Sequence, residues 1–463
     1  DLSEQLGEPV LLRTTTRINH SSAFVPLGKI KPVVSKGRFE KDPMRCVVVP
    51  VVARKRHVVL LENLAKAAAL SEASPLNRRE GDGPLGVICS GVSYNYVVDA
   101  VDDLKLRDKV SILRLGFTHP LPIKMITDFL SSCEKVLVAE EGEPFLEEAI
   151  KAAAQEAGLT LPIQGKGEGL FSRLYEFDPA LVRGVMARCF GIDYTPPQQL
   201  DLAGVQEVPG RPPNLCAGCS HRATYYAVKK AAEGLDTIFP TDIGCYTLGF
   251  LPPLSMGDFL VCMGSSVSSA CGFAQATDQK VISFIGDSTF FHSGITGLVN
   301  AVFNRHNFTL VILDNGITAM TGHQPNPGVD MQAMNLEGYG HVSIEAVVRA
   351  VGVEHITVVK PYKVKKSIEA IRQALEHKGV SVIISQEMCT LYAKSLKRLK
   401  TRAFTVTDRC VNHRDCVNEF ACPAFFIEGE QVRIDANVCV GCAVCAQICP
   451  ENAISPVKAT AGE

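Results

Sequence analysis

The segment that decides the fold is VISFIGDSTFFHSGITGLVNAVFNRHNFTLVILDNGITAMTG, residues 281–322. Two short apolar runs rich in β-branched residues, 281–285 and 309–313, predict buried strands. The residues between them have helical character, so the segment is predicted to form a strand, a loop, a helix and a second strand. Because parallel strands of an open α/β sheet end at the same edge, we expect a ligand site where these two strands end.

Both predicted strands end at polar residues. Asp287 follows the first strand and Asn315 follows the second, so the fold would bring their side chains together. Carboxylate and carboxamide oxygens suit Mg²⁺, which uses few protein ligands and completes its shell with phosphate oxygens and water. A Gly-Asp pair alone is more often a surface turn, but the paired strand ends and the sequence TAMTGH at 318–323 favour a metal site.

This pattern resembles the diphosphate-binding motif of thiamine-diphosphate enzymes. The match is closest to the 2-oxoacid:ferredoxin oxidoreductases, in the branch that acts on arylpyruvates such as indolepyruvate. The resemblance implies that Mg²⁺ is held by Asp287, Asn315 and the backbone carbonyl of Ile317. It also implies that Gly286 and Ser288 lie at the cofactor, with Ser288 standing where the motif commonly has glycine.

Small residues open a second predicted helix, in the sequence MGSSVSSACGFA at 263–274. Small side chains let backbone N–H groups and the positive end of a helix approach a phosphate. The family places the cofactor diphosphate near such a segment, so the resemblance implies that Gly264 and Ser265 line it. A helix that begins with small residues is common for packing reasons alone, and this prediction therefore depends on Asp287 and Asn315.

Composition excludes several classes of protein. A length of 463 residues indicates about three domains, and 47 basic against 49 acidic residues give no nucleic-acid footprint. No run reaches the roughly 18 apolar residues of a membrane helix, so we expect a cytoplasmic protein with neither a nucleic-acid nor a membrane partner. Seven of the 17 cysteines lie within 410–449, and this crowding favours metal clusters over disulfides.

The most specific motif is CVGCAVCAQICP at 439–450. This C-x₂-C-x₂-C-x₃-C-P spacing is typical of bacterial ferredoxins, in which three closely spaced thiolates bind one cluster and the fourth reaches another. An earlier run, CVNHRDCVNEFACP at 410–423, is less regular. The crossed ferredoxin pattern assigns one 4Fe-4S cluster to Cys422, Cys439, Cys442 and Cys445.

A second, altered cluster is predicted from the residues that remain. Cys410, Cys416 and Cys449 are left over, and His413 stands where a further cysteine would be expected. Either His413 is the fourth ligand, or one iron is missing and a 3Fe-4S cluster forms. A neutral imidazole ligand would raise the reduction potential. The alternative is that this cluster is absent and His413 is merely exposed.

A third cysteine group begins with the C-x-x-C pair Cys216 and Cys219, whose spacing fits zinc, a redox dithiol or a cluster. As a zinc ligand, His221 would stand too close to Cys219 to complete a tetrahedron comfortably. Many 2-oxoacid:ferredoxin oxidoreductases hold a cluster near the thiamine with such a pair and two later cysteines. The resemblance thus implies a third cluster at Cys216, Cys219, Cys245 and Cys389; the alternative is that Cys245 and Cys389 are buried thiols.

The predicted fold class is α/β, with parallel-sheet transketolase-like domains followed by a small α+β two-cluster ferredoxin domain. The predicted parts are the remnant of a preceding domain at 1–45, a linker region at 46–84, a transketolase C-terminal-like domain at 85–195, a thiamine-diphosphate-binding domain at 196–400 and a ferredoxin-like 4Fe-4S domain at 401–463. A strand is expected at 9–17 and a polar linker at 71–83. The resemblance implies that a pyrimidine-binding domain with the activating glutamate precedes these parts, so no catalytic residue is assigned here.

Two further features have alternative interpretations. His119, Glu140 and Glu141 could contact substrate or a partner domain, but a turn and a strand-end cap are favoured. The basic run at 394–402 could dock an acidic ferredoxin, but a solvated helix face is favoured.

The resemblance implies a CoA-dependent oxidative decarboxylation of an arylpyruvate to an acyl-CoA and CO₂. Thiamine diphosphate would supply the carbanion chemistry, and iron-sulfur clusters would pass the electrons to ferredoxin. The family also works with a smaller second subunit. Two alternatives remain: the same mechanism on another 2-oxoacid, or an electron-transfer subunit without its own thiamine catalysis. A non-redox thiamine decarboxylase would have no use for the cysteines at 410–449.

Overall fold

The computed structural model describes residues 2–29, 38–196, 204, 210, 212–329, 338–399 and 402–457. The chain divides into two compact units, Asp1–Val205 and Gln206–Glu463, and each has its own hydrophobic core. Within the described ranges, no helix is both long enough and apolar enough to cross a membrane.

The first unit begins with four helices. They are α1 (Leu2–Leu6), α2 (Thr16–Asn19), α3 (Pro43–Cys46) and α4 (Pro50–Glu72). The strand predicted at 9–17 is wrong, because residues 9–15 are irregular and Thr15 caps α2 by accepting a hydrogen bond from the Ile18 backbone N–H. Leu11 and Leu12 are 96 % and 90 % exposed, so no strand of the described residues covers this apolar run. An unpaired strand would leave its backbone groups without partners.

A five-stranded sheet forms the core of the first unit. Its strands are β1 (Arg78–Glu80), β2 (Leu85–Ser90), β3 (Val110–Leu115), β4 (Lys135–Ala139) and β5 (Ile163–Gln164), in the order β1-β3-β2-β4-β5. The helices are α5 (Ser93–Asp103), α6 (Ile123–Ser131), α7 (Phe145–Glu156) and α8 (Pro179–Phe190). The parallel pairs β2-β3, β2-β4 and β4-β5 agree with the parallel sheet that was predicted for this part of the chain. The predicted linker at 71–83 is wrong in part, since α4 extends into it and β1 pairs antiparallel with β3; a short charged segment suits a sheet edge.

The acidic pair of the first unit has structural partners. The Glu140 carboxylate accepts hydrogen bonds from the backbone N–H groups of Leu146 and Glu147, at 2.8 and 2.9 Å, where α7 begins. Glu141 accepts from the Phe177 N–H at 2.8 Å. These bonds support the favoured interpretation of the pair as a cap at a strand end.

The second unit contains a five-stranded parallel sheet in the order β6-β7-β8-β10-β9. The strands are β6 (Thr237–Ile238), β7 (Lys280–Gly286), β8 (Phe308–Asp314), β9 (His355–Val359) and β10 (Val380–Gln386). The helices are α9 (Ser220–Ala231), α10 (Ser265–Ala276), α11 (Asp287–Thr289), α12 (Ile295–Phe303), α13 (Ile344–Ala350), α14 (Val364–Glu376) and α15 (Thr390–Ser395), with a 3₁₀ turn at Cys245–Phe250 and a π-helical turn at Phe290–Gly294. The predicted strand, helix and strand of 281–313 are confirmed. β7 and β8 are buried along nearly all their length, as both faces of the sheet are covered.

The cysteine-rich end of the second unit has little regular structure. Its elements are β11 (Phe404–Val406), α16 (Asp415–Asn418), β12 (Phe425–Glu428), β13 (Gln431–Ile434), α17 (Val444–Ile448) and β14 (Ile454–Pro456). β11 pairs antiparallel with β14, and β12 with β13. Phe420 and Val444 pack against Ala223 and Tyr226 of α9. The ferredoxin-like part therefore packs directly against α9, a helix of the domain that contains the parallel sheet. The predicted fold class is confirmed.

Candidate functional site

The candidate site lies where β7 and β8 end. In this parallel pair Gly286 is opposite Leu313, so Asp287 and Asn315 lie at the same edge of the sheet. Both side chains are buried. The backbone N–H of Gly316, next to Asn315, donates a hydrogen bond to Oδ1 of Asp314 at 3.2 Å, and it opposes the rise that burial causes in the pKa of Asp287. The structure thus brings together the two residues that the motif predicts to hold Mg²⁺.

Asp287 is a buried carboxylate with few donors around it. It accepts hydrogen bonds from the Ser288 N–H at 2.8 Å and from Nδ2 of Asn326 at 3.1 Å. Burial, followed by the negative charge of Asp314, raises the pKa of Asp287 to about 7. Two neighbouring carboxylates in a poorly solvated place are stabilised by a bound cation, so these residues fit a magnesium ion.

Asn315 is held on both sides of its amide. Its Oδ1 accepts a hydrogen bond from the Ile317 N–H at 3.1 Å, and its Nδ2 lies 3.3 Å from Nε2 of His221. Gly316, which lies between Asn315 and Ile317, has a φ of +69°, a left-handed conformation that glycine adopts without strain. The turn places the carboxamide and the backbone of Ile317 at the same sheet edge. An amide oxygen accepts two hydrogen bonds or ligands, so Oδ1 has capacity for a metal.

Two residues that the sequence analysis did not assign support this edge. His221 is buried, and burial lowers its pKa to about 4, so it is neutral at pH 7. Its Nδ1 has no hydrogen-bond partner within the described part of the chain. The signal for His221 was its position just after the C-x-x-C pair, where it was considered only as a zinc ligand. Asn326 lies in the loop after 322, and no spacing indicated it.

The start of α10 is organised around a buried acid. The Asp242 carboxylate, 0 % exposed, accepts the backbone N–H groups of Gly264 and Ser266 at 2.8 and 3.1 Å. The Ser265 N–H donates to the Cys262 carbonyl at 3.0 Å. The donors that were expected to approach a phosphate are therefore engaged within the protein, and the cofactor role of Gly264 and Ser265 stays a prediction.

Gly286 has a structural reason to be glycine. A Cβ at this position would lie 2.5 Å from the ring of Tyr246, closer than any side chain permits. Tyr246 donates a hydrogen bond from its hydroxyl to the Ile243 carbonyl at 2.9 Å, which fixes the ring beneath the end of β7. Gly286 therefore lets the strand approach Tyr246 while Asp287 emerges at the sheet edge.

The four cysteines predicted for a third cluster are Cys216, Cys219, Cys245 and Cys389, and we call them the proximal set. Burial, together with the nearby Cys389 and Cys216 thiols, raises the pKa of Cys245 to about 11. Burial, and after it the Cys389 thiol, also raises the pKa of Cys216, and Cys216 adds to the rise that burial causes in the pKa of Cys219. Each of these thiols is thus an electrostatic neighbour of another member of the set, although they come from three separate places in the sequence.

The proximal set adjoins the sheet edge. The backbone N–H of Cys389 donates a hydrogen bond to the backbone carbonyl of Asn315 at 3.0 Å. One cysteine of the proximal set is therefore held next to a predicted metal ligand. Cys219 precedes α9, and the N–H groups of His221 and Arg222 oppose the rise that burial causes in its pKa. Over the residues described, no three His, Cys, Asp or Glu side chains form a site for a single metal ion, so the zinc interpretation gains no support.

The seven cysteines at 410–449 line two separate cavities. The first is lined by the middle set, which comprises Cys422, Cys439, Cys442 and Cys445. The second is lined by the outer set, which comprises Cys410, Cys416, Cys449 and His413. In the outer set, His413 is about half exposed, and its Nε2 lies 3.3 Å from Oε1 of Glu451. These two groups are those of the crossed ferredoxin pattern.

One loop separates the proximal set from the middle set. Ala217 and Gly218 line the cavity of the middle set, while the cysteines on either side of them belong to the proximal set. A Cβ at Gly218 would lie 2.1 Å from Cγ2 of Val440, and the φ of Gly218 is +66°. Glycine is therefore the residue that fits where this loop packs against the Val440 side chain.

Comparison with known proteins agrees with this division. Residues 242–385 match the family described as "Thiamine pyrophosphate enzyme, C-terminal TPP binding domain", and residues 432–455 match the "4Fe-4S binding domain". The first match includes Asp287 and Asn315, and the second includes four cysteines of the motif at 439–450.

Three curated relatives cover nearly the whole chain. The "Indolepyruvate oxidoreductase subunit IorA" of Methanothermobacter thermautotrophicus is 44 % identical over 98 % of this chain and 74 % of the relative. That of Methanothermobacter marburgensis is 45 % identical over 98 % and 74 %, and that of Archaeoglobus fulgidus is 43 % identical over 99 % and 74 %. The chain belongs to the IorA family. This membership confirms the predicted resemblance and the oxidoreductase class.

For this IorA-family chain, the predictions of a thiamine-diphosphate domain and of a 4Fe-4S motif are confirmed. Mg²⁺, the number of clusters and CoA remain predictions, as do the individual ligands. The activating glutamate and the smaller subunit also remain predictions. The basic run at 394–402 lies partly outside the described residues.

Proposed function

We propose that this chain oxidatively decarboxylates an arylpyruvate, with indolepyruvate as the leading candidate. CoA would accept the acyl group, CO₂ would be released, and two electrons would leave through iron-sulfur clusters to ferredoxin. The observation that carries the proposal is the 3.0 Å hydrogen bond from the Cys389 N–H to the Asn315 carbonyl, which joins a predicted cluster ligand to a predicted Mg²⁺ ligand. The names of the relatives support indolepyruvate as the substrate.

The residues at the sheet edge would hold the cofactor. Asp287, Asn315 and the carbonyl of Ile317 would hold Mg²⁺, which would offset the negative charge of the diphosphate. Thiamine diphosphate, when bound, supplies a carbanion-stabilising centre that the protein itself lacks. Asp314 adds negative charge next to Asp287 and so increases the preference of this edge for a divalent cation.

His221 would position the metal ligand. His221 is a neutral side chain whose Nε2 lies 3.3 Å from Nδ2 of Asn315. Nε2 accepts a hydrogen bond from this amide group, so Oδ1 of Asn315 is directed away from His221. A neutral imidazole with one accepting nitrogen carries its proton on the other nitrogen. Nδ1–H therefore remains as a buried donor without a protein partner in the described residues.

The cysteine sets would give electrons a route from the sheet edge to the surface. The proximal set adjoins Asn315, and the middle set follows behind the loop of Ala217 and Gly218. The outer set is next in the ferredoxin-like part, where His413 is about half exposed. We propose ferredoxin as the acceptor at that end and the smaller subunit as the partner for catalysis.

Two alternatives are weighed by the same geometry. The same mechanism on another 2-oxoacid needs the same Mg²⁺ edge and the same cysteine sets, so only a substrate comparison separates the two. A pure electron-transfer subunit would not need a buried carboxylate and carboxamide at paired strand ends, and Asp287 and Asn315 therefore count against it.

The test is an anaerobic assay of the full-length protein assembled with its smaller subunit. CoA-dependent reduction of viologen is followed with indolepyruvate, pyruvate and 2-oxoglutarate in separate reactions. We expect indolepyruvate to give the highest kcat/KM. A preference for another acid would retain the mechanism and change the substrate. No reduction by any of them, despite a full iron content, would favour the electron-transfer alternative.

A further inference from the structure

Arg222 is a buried cation on α9. Only 1 % of its surface is exposed, and it is among the largest fully buried side chains of the described residues. A guanidinium stays protonated in proteins, and a buried charge is costly unless an opposite charge lies close to it. The partners of Arg222 therefore indicate what this charge is for.

The hydrogen-bond partners of Arg222 are all neutral. Nη1 donates to the Phe420 carbonyl at 3.0 Å, and Nη2 donates to Oδ1 of Asn214 at 2.8 Å and to the Leu215 carbonyl at 2.7 Å. Nε is buried and has no hydrogen-bond partner in the described part of the chain. These contacts hold the side chain in place but leave its charge uncompensated.

Burial lowers the pKa of Arg222, and the groups that oppose this lowering are the sulfur groups of Cys422, Cys219 and Cys216. These sulfurs become negatively charged when they ligate iron as thiolates. Cys216 and Cys219 belong to the proximal set, whereas Cys422 belongs to the middle set. The carbonyls that Arg222 binds confirm this position, because Leu215 adjoins Cys216 and Phe420 is two residues before Cys422.

We propose that Arg222 is a counter-cation shared by the proximal and middle clusters, and that its fixed charge raises the reduction potentials of both. This inference rests on the proposed function, because it requires clusters at both sets. Reduction adds one negative charge to a cluster, and a fixed cation at short range in a poorly solvated place stabilises the reduced form. Arg222 acts through the clusters and touches no substrate, so it is a positioning residue.

The test is an EPR-monitored redox titration of the full-length protein with its smaller subunit, purified without oxygen. Arg222→Gln removes the charge and keeps an amide donor for the carbonyls. We expect the potentials of the proximal and middle clusters each to fall by at least the equivalent of a tenfold change in the reduction equilibrium, about 59 mV for one electron. The outer cluster should keep its potential. Unchanged potentials at both sets, or an equal shift of all clusters, would overturn the proposal.

Two matched variants separate charge from shape. Arg222→Lys keeps the charge, and we expect its proximal and middle potentials to lie closer to the unsubstituted protein than those of Arg222→Gln. Lys230→Gln removes a positive charge from the same helix, but Lys230 is paired with Glu419 at 3.0 Å, so the potentials should not change. A shift in Lys230→Gln as large as in Arg222→Gln would contradict a specific role of Arg222.

Iron content decides the case in which a variant loses a cluster. If Arg222→Gln loses iron and Arg222→Lys keeps both iron and potentials, the charge is required and the proposal stands. If both variants lose iron, Arg222 acts through its shape and the proposal fails. If the unsubstituted protein holds no proximal cluster, the shared role falls together with the proposed electron route. Full clusters with unchanged potentials in Arg222→Gln overturn the Arg222 role alone.

Discussion

The two ends of the second unit differ in what holds their functional residues in place. At the edge of the parallel sheet, Asp287 and Asn315 follow strands that are buried along nearly all their length, and both residues are fixed by backbone and side-chain hydrogen bonds. In the ferredoxin-like part, two-stranded sheets and short helices surround two cysteine-lined cavities. The sheet edge is preorganised by its core, whereas we expect the ferredoxin-like part to depend on its predicted clusters for stability, because its own apolar core is small.

The largest effect should follow from removing a ligand of the middle set. In Cys442→Ala we expect the loss of one cluster, about four irons, together with the loss of protease resistance over 402–457, while the parallel sheet stays folded. Iron analysis and limited proteolysis measure the two parts. Cys262→Ala is the control, because Cys262 is exposed and belongs to no set. If the variant loses iron but keeps its protease resistance, the ferredoxin-like part does not depend on this cluster for its stability.

Substitution at the sheet edge should remove binding but leave the fold intact. Asp287→Asn deletes the charge of the predicted Mg²⁺ ligand, and we expect thiamine-diphosphate affinity to fall by at least about 100-fold, measured by calorimetry in the presence of Mg²⁺. The melting temperature of the sheet should not fall, since a buried carboxylate with a raised pKa is replaced by a neutral group. Asp278→Asn, an exposed site, is the control. Unchanged affinity in Asp287→Asn would remove Asp287 from the metal site.

The contact between the two regions can be tested at Gly218. Gly218→Ala would force a Cβ against Val440 at a left-handed φ, at a cost of about 1–3 kcal/mol. In freeze-quench EPR of this variant, we expect the reduction of the middle cluster to lag further behind that of the proximal cluster than it does in the unsubstituted protein. Gly234→Ala is a matched control, because Gly234 has a φ of +84° but nothing within 4 Å of the added Cβ. Equal kinetics in the two variants would mean that the Val440 contact does not matter for electron transfer.

The smallest effect should be confined to the outer set. His413→Cys restores the thiolate that the ferredoxin spacing lacks, and a negative ligand in place of a neutral one should lower the potential of that cluster alone. Redox titration with EPR detection measures the shift, and the potentials of the proximal and middle clusters serve as internal controls. An unchanged outer spectrum and iron content would show that His413 is not a ligand.

Sequence reasoning predicted the parts of this unit that periodicity and spacing encode. The apolar runs at 281–285 and 309–313 predicted β7 and β8, and cysteine spacing predicted the grouping of the middle and outer sets. The roles of Asn326 and Asp242 depend on contacts across loops, which leave no local pattern. The run at 9–17 misled because strand propensity has no effect without a neighbouring strand.

The most direct test of the account is an iron count on Cys389→Ala, with Cys271→Ala as its control. Cys389 belongs to the proximal set, and its backbone N–H donates a hydrogen bond to the Asn315 carbonyl. Cys271 is a buried thiol on α10 and lies outside all three sets. We expect Cys389→Ala to lose the iron and the EPR signal of one cluster. We expect Cys271→Ala to keep its full iron content and all EPR signals. Equal iron in both variants would show that no cluster at the thiamine edge depends on Cys389, and it would contradict the proposed electron route.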